Sequence, residues 1–348
     1  VTTDSSPPVP PTDAVPGPGS GDAPGPAGAA TSADRVLGCL LGTMAGDAYG
    51  VLHAAGEDPT AALRDPTDLR VSDATQLTLY TVDGLVDALE WANDGVAADE
   101  TACLWLAYLR WLVRQGESLP ANAPAAPARW LDRQEGLLPV RDPDAETMRA
   151  LRTGEMGTRA RPLNLQADGA GALMRSAPFG LVPRIPESMV ERLTVDAAAL
   201  THGGDGARTT AARFSAIVRA LAIDGLALDE AVHRGGGDAH EPATARAADG
   251  AIPAEGTTAE AVFDSALQSV LVRAEGQSSP QEHLAAALAH AAAGRSDASA
   301  PVRASLAGGL VGALHGTAAL PAAYLEAPGV AAVVRGMARS LLKATTGT

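Results

Sequence analysis

The chain has 348 residues, with 41 acidic against 26 basic side chains, a net charge of −15 and a pI near 4.8. That balance argues against holding a polyanion by bulk electrostatics, which needs clustered Lys and Arg, so no nucleic-acid partner is expected. No apolar run reaches the roughly 20 residues of a membrane span and no Lys or Arg precedes Arg35 to start a secretory signal, so the expectation is a cytoplasmic protein with no membrane partner.

Residues 1–33 have no periodicity and are dominated by Pro, Gly, Ala and Ser, which reads as a disordered arm. Residues 34–348 read as one domain. From Asp34, placed to cap a first turn, Val36, Leu37, Leu40, Leu41, Met44 and Ala48 recur at helical spacing. Gly38, Gly42, Gly46 and Gly50 fall every fourth residue on the same stretch, and Ala304, Gly308, Gly312 and Gly316 repeat the pattern near the other end. A glycine costs about 1 kcal/mol relative to Ala inside a helix. Two such smooth stripes are therefore expected to face each other in the core, where close backbone approach offsets the cost.

Between the stripes, helical spacing covers Thr75 to Trp91, Glu100 to Arg114, Thr210 to Leu221, Ala259 to Ala274 and Pro280 to Ala293. No alternating pattern of useful length appears, which predicts an all-α domain. The segments Gly116 to Arg133 and Gly235 to Gly256 are rich in Pro, Ala, Gly and charge and read as surface insertions. Cys39 and Cys103 lie in apolar helical patterns and read as buried free thiols.

Four segments, in order, resemble the ADP-ribosylglycohydrolase family. They are RVLGCLLGTMAGDAYG at 35–50, SDATQLTL at 72–79, DGAGALMRSAPFG at 168–180 and Leu200-Thr201-His202. The resemblance implies a compact, single-domain orthogonal helix bundle over 34–348 and an ADP-ribose-related ligand. It also implies that Gly169 and Gly171 lie against the diphosphate and adenosine and that His202 forms a wall of the pocket, while His202 is equally explained as a hydrogen-bonded helix-cap histidine. Glycines allow such a loop to bring backbone N–H groups close to a phosphate. Asp168, however, sets a negative charge beside that place, and Arg175 either offsets it or pairs within the fold.

In the family as resembled, two magnesium ions sit between an S/T-D-D segment and a D-x-D-[ST] segment ahead of the last glycine-rich helix. Hard divalent cations need several oxygen ligands there. This chain matches at Ser72, Asp73 and Thr75, but Ala74 replaces the second Asp. Counting back from Ala307-Gly308 without gaps, the D-x-D carboxylates fall at Ser299 and Pro301; a two-residue gap aligns Asp297-Ala298-Ser299 and supplies one acid. The family's glutamate aligns with Ala54, leaving Glu57 offset.

Ser72, Asp73 and Asp297 are thus vestigial candidates for a metal. Asp73 and Ser72 are also explained as first-turn and capping residues of a helix. The first reading is a pseudoenzyme without cofactor that still binds ADP-ribose or a related nucleotide. The alternatives are an active ADP-ribosyl hydrolase using Mg²⁺ through Asp73 with Asp297 or Glu57, and a structural or interaction protein.

Overall fold

A computed structural model describes residues 30–140, 142–236, 258–274, 279–293 and 299–346. Asp297 and most of the Gly235 to Gly256 segment lie outside them, as does nearly all of the arm. Among the described residues there are thirteen α-helices and no strand, only two isolated bridges. The helices are α1 (Ser32–Ala54), α2 (Ala61–Arg64), α3 (Asp73–Asn93), α4 (Glu100–Arg114), α5 (Ala145–Arg152), α6 (Ala177–Gly180) and α7 (Glu187–Ala199). They continue with α8 (Asp205–Ala222), α9 (Leu228–Arg234), α10 (Ala259–Ala274), α11 (Pro280–Ala292), α12 (Ala300–His315) and α13 (Val330–Thr346). Residues 31–348 make one unit.

The glycine stripes set its centre. α1 and α12 run antiparallel, with Gly38 against Gly312 and Gly316, Gly42 against Gly308, Gly46 against Ala304, and Gly50 against Ala300 and Pro301. At each step the nearest atoms of the facing residue are backbone, so no side chain separates the two helices. α1 is buried without interruption from Gly38 to Gly50, and α12 from Arg303 to Ala313. A helix that is apolar all round has to be enclosed. α3, α8, α10, α11 and α13 supply that enclosure, packing on one or other of the pair.

The helix from the first stripe begins earlier than the spacing implies. Thr31, not Asp34, is the cap, accepting the Asp34 amide at 3.2 Å. The Asp34 carboxylate instead accepts from the hydroxyl of Thr317 at 2.6 Å and from its amide at 3.2 Å, tying the end of α12 to the start of α1. α4 and α10 keep the bounds that the sequence suggests, whereas α8 starts five residues sooner at Asp205. α2, α5, α6, α7, α9 and α13 add to the helices expected from spacing, although Val330, Val334, Met337 and Leu341 do carry a helical stripe.

The segment Gly116 to Arg133 is held more firmly than a surface insertion. Arg129 reaches Asp83 at 3.2 Å, Asp87 at 2.9 Å and Glu90 at 2.8 Å, all on α3, and Arg110 of α4 also pairs with Asp83. Cys39 and Cys103 are buried free thiols, and burial pushes the Cys39 thiol up to about 12. No helix among the described residues is long and apolar enough to cross a membrane.

Candidate functional site

The end of α1 fixes the start of α3. Asp47 is fully buried, and its carboxylate accepts from the Ser72 amide at 2.9 Å and hydroxyl at 2.6 Å, and from the Thr75 amide at 3.1 Å and hydroxyl at 2.5 Å. Burial raises its pKa and those four bonds oppose the rise. Thr75 is therefore not merely helical. Ser72 caps α3 by accepting the Ala74 amide at 3.1 Å. Its hydroxyl thus donates to Asp47 and accepts from its own helix.

Asp73 opens α3 and is only 8% exposed. Its carboxylate accepts the backbone amide of Asp144 at 2.6 Å. Burial, with the charges of Asp144 and Asp47 adding to it, pushes its pKa up to about 7. Ala74 next to it is fully buried, its side chain part of the core.

That amide bond leads to two acids absent from the sequence reading. Asp144 caps α5, accepting the Thr147 amide at 2.7 Å, and Glu146 lies in its first turn. Both carboxylates approach His202: Glu146 Oε2 stands 3.2 Å and Asp144 Oδ2 3.5 Å from Nε2. His202 is wholly buried at the turn after α7, with its amide bonded to Ala198 O at 2.8 Å. Asn164 ties the parts together, donating to Glu146 O at 2.8 Å and Thr201 O at 3.0 Å. The legible signal was Asp144-Ala-Glu146-Thr147, an acidic pair at the start of a short helix.

The glycine loop closes over this group. A Cβ on Gly169 would lie 2.7 Å from Glu146 Oε2, and one on Gly171 would lie 2.5 Å from Asp144 Oδ2 and 2.7 Å from His202 Cε1. Gly169, Gly171 and His202 are thus brought together, with two carboxylates between them. Asp168 turns away: Oδ1 accepts the Ala207 amide at 2.7 Å, closing the N-terminus of α8. Arg175 is buried and does not offset it; the guanidinium lies 4.4 Å from the Tyr108 ring centre and donates to Thr201 Oγ1 at 2.6 Å. Leu173 and Phe179 are core residues.

On the outer side of the loop is a cleft of about 600 Å³, lined by Arg159, Gln166, Asp168, Gly204, Asp205 and Arg208 among others. Arg208 pairs with Asp205, and its Nε is buried without a hydrogen bond. Glu57 is distant from this chemistry in character: it is half exposed and paired with Arg70 at 2.5 Å, which lowers its pKa.

Two residues past Pro301, the second position where an ungapped alignment puts a family carboxylate, the chain has a cation. Arg303 of α12 is buried and donates to Ser299 Oγ at 2.5 Å and to Ala291 O at 2.9 Å.

Comparison with known proteins bears on the same segments. The profile of the family described as ADP-ribosylglycohydrolase matches residues 29–348. No curated protein matches the chain. Among solved structures, a chain described as an ADP-ribosylglycohydrolase-related protein complex is similar, with a TM-score of 0.57 at 23% identity, covering 90% of this chain and 99% of that one. At that identity the likeness speaks to the fold alone. The profile, however, takes in the paired glycine helices, the Asp47-anchored start of α3, the glycine loop and His202 in one continuous match, and on that ground the chain belongs to the ADP-ribosylglycohydrolase family.

Proposed function

We propose that this family member is a pseudoenzyme that binds ADP-ribose or a related nucleotide without hydrolysing it through a pair of magnesium ions. The observation that carries the reading is Ala74, fully buried and apolar beside Asp73, where the family pattern has a second carboxylate. Two hard cations bring four positive charges and demand oxygen ligands at about 2.1 Å in near-octahedral array. The oxygens present around α3 do not fit that demand. Ser72 Oγ is engaged with Asp47 and the Ala74 amide, and Asp47 itself already accepts four hydrogen bonds. On the α12 side, Ser299 Oγ accepts from the Arg303 guanidinium at 2.5 Å.

Nucleotide binding is supported by family membership and by the polar cleft beside the glycine loop, whose size is that of small-molecule sites. Arg159 and Arg208 are the cations on its wall, suited to a diphosphate. The N-terminus of α8 does not take a phosphate in this reading, because Asp168 already occupies it.

Isothermal titration with ADP-ribose, with and without millimolar magnesium, tests the proposal alongside an assay for release of ADP-ribose from a modified protein. Magnesium-independent binding without release is expected, weakened at least tenfold by Arg208→Ala. Magnesium-dependent turnover would overturn the pseudoenzyme reading, and absence of binding in both conditions would overturn the nucleotide.

A further inference from the structure

We infer that Asp144, Glu146 and His202 form a site for a single divalent ion of the zinc class, separate from the magnesium position that the family pattern implies. One atom from each lies within 4.8 Å of the others. The spacing is that of ligands around one ion. For metal–ligand bonds of about 2.0–2.1 Å, the edge of a tetrahedron is roughly 3.3–3.4 Å; the two edges from His202 Nε2 are 3.2 and 3.5 Å.

The imidazole supplies the second, independent observation. His202 is wholly buried, and Nε2 makes no hydrogen bond although two carboxylates lie 3.2 and 3.5 Å from it. Nδ1 is held 2.8 Å from Thr201 Oγ1. Arg175 donates into one lone pair of that hydroxyl at 2.6 Å, and the other is free to accept Nδ1–H. With Nδ1–H on that hydroxyl, Nε2 carries the bare lone pair that a metal requires. A divalent ion seated there would take that lone pair and neutralise both carboxylates at once.

Ligand type then chooses among ions. Imidazole with two carboxylates suits zinc, cobalt, iron or manganese, whereas magnesium prefers oxygen and retains its water. Gly169 and Gly171 cover the protein side, where any Cβ would strike a ligand carboxylate. Asp144 and Glu146 are 22% and 27% exposed, so the remaining coordination position faces solvent and takes water. The Asp144 Oδ2 bond to the Thr147 amide leaves a lone pair for the ion and fixes the carboxylate's direction.

The test is independent of the nucleotide. Full-length protein stripped with chelator is titrated with Zn²⁺ against a chromophoric chelator, and with Co²⁺ by visible absorption. One equivalent is expected at micromolar Kd or below, unaffected by millimolar Mg²⁺, with the His202 Nε2 resonance shifted in ¹⁵N spectra. Glu146→Gln, nearly isosteric, and Asp144→Asn, which keeps a helix-capping oxygen, should each weaken binding at least tenfold with thermal unfolding little changed; Glu57→Gln should not. No binding, or binding that survives both substitutions and leaves His202 unshifted, would overturn the site.

Discussion

Asp168 Oδ1 accepts the amide hydrogen of Ala207 at 2.7 Å, so the α8 N-terminus is closed by an anion of the protein's own making. The residue that seemed misplaced beside a diphosphate is a structural tie between the glycine loop and α8. Gly204 and Gly206 let the carboxylate come this close, since a Cβ on Gly206 would lie 2.8 Å from both its oxygens. Asp168→Ala should therefore cost about 1–2 kcal/mol, the scale of a lost helix cap, measured by urea denaturation. Phosphate should stabilise that variant more than the wild type, because the helix terminus becomes available to an outside anion.

The contact between α1 and α12 makes a steric prediction. Gly42→Ala would push a Cβ into the Gly308 carbonyl, and backbone on both sides leaves nothing flexible to yield. A loss of about 3 kcal/mol, the upper part of the range for overpacking, is expected. Gly95→Ala meets nothing within 4 Å and bears only the strain of φ +77°, about 1–2 kcal/mol. Equal losses at the two positions would contradict the backbone contact.

His283 and His315 predict an acid-sensitive contribution to stability. His283 Nε2 lies 3.0 Å from Val270 O and must donate to it, so Nδ1, 2.9 Å from His315 Nε2, accepts. Burial, then the neighbouring His283 and Arg35, push the His315 pKa from 6.5 down to about 4. A histidine depressed in the folded state stabilises fully above the unfolded value, and that contribution is lost as pH falls from about 6.5 towards 4. His315→Gln removes the titration. The stability gap between wild type and this variant should shrink by about 1–2 kcal/mol from pH 7 to pH 5, read from urea unfolding at each pH.

Placing acids at 74, 299 and 301 tests the proposal that the chain lacks a magnesium pair. Ala74→Asp alone buries a carboxylate in the core and should lower the thermal midpoint without making it respond to magnesium. Adding Ser299→Asp and Pro301→Asp should introduce a magnesium-dependent rise of a few degrees, by mass action on the folded state. Calorimetry of both variants with and without the ion decides it. Magnesium stabilisation of the wild-type chain would mean that the present oxygens suffice.

Much of the architecture was available from spacing. The two four-residue glycine repeats and the apolar positions around them are local patterns, and in water such stripes must be covered, so an all-α domain with α1 against α12 followed from the sequence. The Ser72 cap and the alanine at 74 were equally local. Tertiary structure decided the rest, because hydrogen bonds and ion contacts join residues far apart in the chain. Only the fold brings Asp144 and Glu146 to His202 and aims Asp168 at α8. A carboxylate's role is chosen by the partners that burial leaves it, and those partners have no period to be read in one dimension.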